Sequence, residues 1–153
     1  MVHKLYEKTI QTKSIFNGKI INVQVDKVEL PDGNFSTREI VKHPGAVAII
    51  PITDDGKIIF VEQYRKPLER PLIEIPAGKI EVNEAPKITA VRELEEETGY
   101  TTDVLEHITS FYTSPGFADE IIHIYYTEQL TKLEEMVQGD DDEFVEKHVL
   151  TLS

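Results

Sequence analysis

The chain has 153 residues, 40% hydrophobic and 29% charged, the size and mix of one globular domain rather than a fibrous or disordered chain. It contains no cysteine, which excludes disulfides and thiolate metal sites and fits a reducing compartment. A formal net charge of -12 argues against a nucleic-acid scaffold, which must neutralise phosphates with Lys and Arg, and leaves any anionic ligand in need of an intervening cation.

Residues 1–11 mix Lys, Glu and Thr with apolar residues and lack the core of a signal peptide. No apolar run is long enough to span a bilayer, so the cytoplasm is the expected location. From 19 to 30 apolar and polar residues alternate, with Ile21, Val23, Val25 and Val28 prominent, as in a strand. Pro31-Asp32-Gly33-Asn34 predicts a turn, because Asp-Gly tolerates positive φ, and 36–41 the returning strand. A short apolar run at 46–52, a turn at Asp54-Asp55-Gly56 and a strand at 57–63 follow. A short strand at 72–75 precedes Pro76-Ala77-Gly78. The spacing predicts a helix over 85–98, with Pro86 near its start and Gly99 at its end. Strands are expected at 104–111, 121–126 and 144–150, and a short helix at 133–137. Antiparallel strands with one or two helices give an α+β class.

The helix carries Arg92-Glu93-Leu94-Glu95-Glu96-Glu97. Glu93 and Glu97 stand one turn apart on one face with Glu96 beside them, where like charges repel. Val91 and Leu94 point elsewhere and can dock the helix on the core. Arg92 can reach Glu96 across one turn. Alone, such a run is compatible with a solvated face. The alternative is that the carboxylates bind Mg²⁺ or Mn²⁺ as oxygen ligands, which removes the repulsion and supplies the missing positive charge.

The surrounding stretch runs Gly78, five residues, Glu84, seven residues, Arg92-Glu93, Leu94, one residue, Glu96-Glu97, one residue, Gly99-Tyr100. It resembles the Nudix box, residues 78–100, position for position. The resemblance implies an α/β/α sandwich around a mixed sheet and a metal-dependent pyrophosphohydrolase. It implies that Glu93 and Glu97 are the principal metal ligands, with Glu97 at the catalytic centre. Glu96 would share a metal or orient a water, and the Ala77 carbonyl would be a further ligand. Gly78 would let the backbone turn, and Glu84 would be structural.

Pro115 lies fifteen residues after Tyr100, within Tyr112-Thr113-Ser114-Pro115-Gly116-Phe117-Ala118-Asp119-Glu120. This stretch, with His43-Pro44-Gly45-Ala46-Val47, Val61-Glu62-Gln63-Tyr64-Arg65 and Glu74-Ile75-Pro76-Ala77-Gly78, is similar to the ADP-ribose pyrophosphatase subfamily across nearly the whole chain. The expected substrate is therefore ADP-ribose, cleaved to AMP and ribose 5-phosphate. Pro115 and Gly116 would shape the substrate site, unless they form a plain turn. Arg65 is the cation expected on substrate phosphate, because guanidinium pairs with phosphate oxygens. A surface ion pair is the alternative, and Arg38 is a second candidate. Phe16 would offer an aromatic face to adenine. The five histidines show no metal spacing and receive no role.

Asp140-Asp141-Asp142-Glu143 reads as a solvated loop by charge alone. In the subfamily it resembles, such a loop supplies the base that activates water, which leaves Asp141 or Glu143 for that role. The resemblance further implies a homodimer, with residues 1–42 as an N-terminal strand segment that pairs across the interface and 43–153 as the hydrolase domain. It also implies a helix after the last strand, whereas the sequence stops at Ser153, by nature or by truncation. The competing functions are hydrolysis of another nucleoside diphosphate sugar or a dinucleotide, and a catalytically idle nucleotide sensor. The intact box argues against the sensor.

Overall fold

In the computed structural model, which describes residues 3–135, 137, 139 and 144–151, the chain divides into two units. The first comprises Met1–Gly45 and Tyr112–Ile121. Its strands β1 (Lys8–Asn17), β2 (Asn22–Glu29) and β3 (Phe35–Lys42) form an antiparallel sheet in the order β1-β2-β3. The strand expected from 19 starts only at Asn22, because the Gly18 N–H donates to the Ile21 carbonyl at 2.9 Å and closes a turn. The Asp-Gly turn is present: Gly33 has φ 83°, and Asp32 Oδ1 accepts the Asn34 N–H at 3.0 Å. All ten residues of β1 are exposed, including Ile10, Ile15 and Phe16. The 112–121 segment is tied to β3, since the Val41 N–H donates to Phe117 O at 2.8 Å and the Asp119 N–H to Val41 O at 3.2 Å.

The second unit holds β4 (Ala46–Pro51), β5 (Lys57–Arg65), β6 (Arg70–Glu74) and β7 (Ala77–Lys79). The helix α1 (Pro86–Thr98) and the strands β8 (Tyr100–Thr101), β9 (Glu106–Tyr112), β10 (Ile121–Thr127), β11 (Thr131–Lys132) and β12 (Val145–Thr151) follow. One sheet has the order β7-β4-β10-β9, with β10 parallel and β7 antiparallel to β4, so it is mixed. A second, antiparallel sheet has the order β12-β5-β6, and β11 pairs with β8. The α+β class and the mixed sheet agree with the sequence reading.

The core gathers Val47 and Ile49 of β4, Ala90 of α1, Leu105 and Tyr125, with Ile80 and Val91 packed against it. Val47 and Ile49 are adjacent to β7 and β10 on both sides, which explains an apolar run without alternation. The helix expected over 133–137 is absent among the described residues. Five residues are too few to nucleate a helix without tertiary support. Instead Leu133 donates its N–H to Gly99 O at 3.0 Å, just after β11 pairs with β8. No helix among the described residues is long and apolar enough to cross a membrane.

Candidate active site

Helix α1 starts at Pro86, whose fixed φ suits a first helical position. Ala85 offers no side-chain cap. Thr89, in the first turn, donates its hydroxyl to Glu84 Oε2 at 2.8 Å and so ties the helix start to the loop before it. The helix ends at Gly99, which has φ 72° and donates its N–H to Glu95 O at 3.0 Å. The buried positions are Thr89, Ala90, Glu93, Leu94, Glu97 and Thr98. Two acids thus share the inward face with Ala90 and Leu94.

Glu93 is 6% and Glu97 9% exposed, and burying a carboxylate costs free energy unless it is bonded. Glu97 Oε2 accepts the Ala77 N–H at 3.0 Å, which fixes the peptide at the start of β7. Glu93 Oε1 accepts Arg92 Nη1 at 2.8 Å. A β-carbon built on Gly78 would fall on the Glu93 carboxylate. Gly78 is paired with Val47 in β7 and has no positive φ. It is glycine because a side chain approaches it, not because the backbone turns there.

Arg92 is the hub. Its Nε donates to Glu84 Oε1 at 3.0 Å, its Nη2 to Glu84 Oε2 at 3.0 Å, and its Nη1 also to Glu96 Oε2 at 3.0 Å. The reach from Arg92 to Glu96 is therefore present, with Glu84, Glu93 and the Lys79 carbonyl as further partners. The bonds from Arg92, helped by the Thr89 hydroxyl and the Glu81 N–H, outweigh burial and hold the Glu84 carboxyl at about 2. The same carboxylate raises the Arg92 guanidinium in return.

Arg65, at the end of β5, donates its Nε to Glu74 Oε2 at 2.7 Å. Arg38 in β3 donates its Nε to Glu7 Oε2 at 2.8 Å and its Nη2 to Glu7 Oε1 at 2.6 Å, and bonds the Ser36 hydroxyl and Thr37 carbonyl. The paired face a phosphate would take on Arg38 is thus filled by Glu7. Arg38, Pro115 and Gly116 do come together: with Glu7, Glu39 and Ile40 they line a cavity of about 350 Å³. Phe16 does not line it and lies exposed on β1. Asp141 and Glu143 lie outside the described residues.

Several partners were not read from the sequence. Glu7 is 31 residues from Arg38, and no local pattern joins them. The 115–119 loop is held by Asp119, which accepts Lys42 Nζ at 2.8 Å and the His43 N–H at 2.8 Å. Lys147 of β12 donates to Thr98 O at 3.1 Å and lies 5.1 Å from the centre of the Tyr100 ring, so it caps the far end of α1.

Residues 42–153 match the family model described as the NUDIX domain, and 7–41 the one described as the nucleoside diphosphate sugar hydrolase N-terminal domain. The chain is 62% identical to an ADP-ribose pyrophosphatase of Bacillus subtilis over 97% of its own length and 80% of that protein's. It is 59% identical to a methanol dehydrogenase activator of Bacillus methanolicus, over 97% of this chain and 81% of the relative. Among solved structures, the crystal structure of an ADP compounds hydrolase superposes with a TM-score of 0.82 at 21% identity, over 95% of this chain and 78% of that one.

Proposed function

Since the chain belongs to the Nudix family, we propose that it is a pyrophosphohydrolase that cleaves ADP-ribose to AMP and ribose 5-phosphate with Mg²⁺ or Mn²⁺. The buried pair Glu93 and Glu97, pressed against the backbone of β7, is the observation that carries this reading. The donor set fits a hard divalent cation. Its groups are carboxylate oxygens, and Glu84, Glu93 and Glu96 share a single guanidinium, which leaves negative charge in excess.

Glu93, Glu96, Glu97 and the Ala77 carbonyl would hold the cation. When bound, it supplies charge neutralisation of the diphosphate and a more acidic water. The rest falls to the chain. Glu97 fixes the Ala77 peptide, and Arg92 orients Glu93 and Glu96. Arg65 uses its Nε on Glu74 and would turn its terminal nitrogens to a substrate phosphate. Pro115 and Gly116 wall the cavity beside Arg38 and would shape the nucleotide or sugar end. With Arg38 engaged by Glu7, its role there is to set the wall rather than to bind phosphate. Asp141 or Glu143 would accept the water proton. Residues 1–42 would form an arm that pairs with a second copy, Phe16 included, and 43–153 the hydrolase domain, in the cytoplasm. The exposure of every β1 residue supports the arm.

A second reading is another nucleoside diphosphate sugar as substrate, favoured by the match of 7–41 to an N-terminal domain so described. Product analysis decides. With Mg²⁺ and ADP-ribose the expected products are AMP and ribose 5-phosphate, faster than from GDP-mannose or a dinucleotide. Faster cleavage of GDP-mannose would move the assignment to the second reading. No turnover of any of the three would remove the hydrolase reading.

A further inference from the structure

A second cluster of metal-ligating groups lies away from the acidic helix face, on the β12-β5-β6 sheet. Glu62 of β5 and Glu146 of β12 are direct cross-strand partners. His148 lies two residues along β12, so it shares a face with Glu146. That face is turned away from α1, because Lys147 between them is the residue that reaches Thr98. Like charges directly opposite one another weaken a sheet. Among the described residues, neither carboxylate is paired with a lysine or arginine. Their basic neighbour is His148, whose Nε2 is 2.9 Å from Glu62 Oε2. One donor atom from each of the three side chains lies within 4.8 Å of the others. Glu62 and Glu146 also line a cavity of about 560 Å³ with Tyr64, Pro71 and Phe144, which gives the cluster an open side.

We propose that Glu62, Glu146 and His148 form a binding site for a divalent transition cation, with Zn²⁺ the best fit. The donors would be His148 Nε2 and one oxygen from each carboxylate, with water from the cavity side completing the set. Zinc holds such ligands at about 2.0–2.2 Å, which puts tetrahedral donors about 3.3 Å apart. Donors already within 4.8 Å reach that spacing by side-chain rotation. His148 exchanges its bond to Glu62 for the metal and keeps its proton on Nδ1. The chemistry separates this site from the helix. Oxygen-only donors suit Mg²⁺, whereas an imidazole shifts preference to zinc and its transition-metal neighbours. The bound ion removes the repulsion between Glu62 and Glu146 and fastens β12 to β5.

Titration calorimetry of the untagged chain with Zn²⁺, in saturating Mg²⁺, tests this. Magnesium occupies the oxygen-rich helix face and competes poorly for imidazole. One equivalent of Zn²⁺ should bind. Both His148→Ala and Glu146→Gln should weaken binding about tenfold or more, at least what a group one step removed from a metal costs. Glu97→Gln should leave it unchanged. Glu146 is exposed and Glu62 and His148 are half-buried, and circular dichroism checks that each variant folds. Should His148→Ala fail to fold, Glu146→Gln decides alone. Absence of Zn²⁺ binding under saturating Mg²⁺ overturns the proposal. So does Zn²⁺ binding that survives His148→Ala and Glu146→Gln, or that is lost in Glu97→Gln.

Discussion

Gly78 and Glu93 occupy the same few ångströms, so no side chain fits at 78 unless the Glu93 carboxylate moves. Gly78→Ala keeps every carboxylate but pushes the Glu93 side chain aside, because the β7 backbone is held by Val47 and cannot retreat. Glu93→Gln and Glu97→Gln leave packing intact and remove a charge. All three should lower kcat by about 10²-fold or more, beyond the roughly 10–100-fold that outlying partners of a metal cost. Gly78→Ala should in addition raise the Mg²⁺ concentration needed for half-maximal rate. Steady-state rates across Mg²⁺ concentrations check this, and a Gly78→Ala enzyme with normal kcat and Mg²⁺ dependence would mean that Glu93 has no part in metal binding. Glu84 makes a different contribution. Its carboxyl titrates at about 2 in the fold against an ordinary 4.5. The stability it supplies is therefore complete above pH 4.5 and is lost as pH falls through 2. Glu84→Gln should lower the melting temperature at neutral pH and flatten the acid limb of the Tm profile in that window. Spacing along one helix put Glu93 and Glu97 on one face within reach of Arg92, and the resemblance to the Nudix box singled out Gly78 with them. The reason for the glycine was not legible in the sequence, because it depends on which side chain arrives from another element. The pairing of Glu7 with Arg38, and of Glu62 with Glu146 and His148, was hidden for the same reason. Cross-strand neighbours carry no fixed sequence separation.

At the scale of elements, α1 was read almost to the residue, since Pro86 and Gly99 punctuate it. Its C-terminal end is held twice: by the Gly99 N–H on Glu95 O, and by Lys147 on Thr98 O. Gly99→Ala forces a β-carbon into left-handed backbone and should cost about 1–2 kcal/mol. Urea unfolding will report it as a lower midpoint with an unchanged slope, and an unchanged midpoint would show that the helix end adjusts freely. Turn chemistry gave the strands flanking Gly33 and Gly56 to within a few residues. The strands missed are of two kinds. β7, β8 and β11 have two or three residues each and leave no period to detect. β1 reads Lys-Thr-Ile-Gln-Thr-Lys-Ser-Ile-Phe-Asn, and register shifts between Thr9 and Gln11 and between Ser14 and Phe16 break its alternation. Among the described residues of 133–137 the expected helix is absent, and Leu133 instead donates its N–H to Gly99 O.

For the whole molecule, β1 is the main liability and the main clue. It lies at the edge of the order β1-β2-β3, and Ile10, Ile15 and Phe16 are exposed along it. Such edges invite pairing, and a second copy of the chain is the partner expected here. Light scattering at micromolar concentration should give twice the chain mass, and Phe16→Asp with Ile15→Asp should return it to the monomer. A wild-type chain that scatters as a monomer would leave β1 without that role. The mixed sheet has a consequence of another sort, in time rather than space. The β1-β2-β3 meander joins residues near in sequence, whereas the parallel pair of β4 with β10 joins Ala46 to Ile122 and Pro51 to Thr127. Closing so long a loop is slow, and parallel pairings come late. The backbone against which Glu97 sets Ala77 hangs from β4, so the carboxylate cradle is expected to become fixed only once β4 is locked between β7 and β10. Pulse-labelled hydrogen exchange should find amides of 22–42 protected before those of 46–51, and the ability to hydrolyse substrate should return with the slower phase.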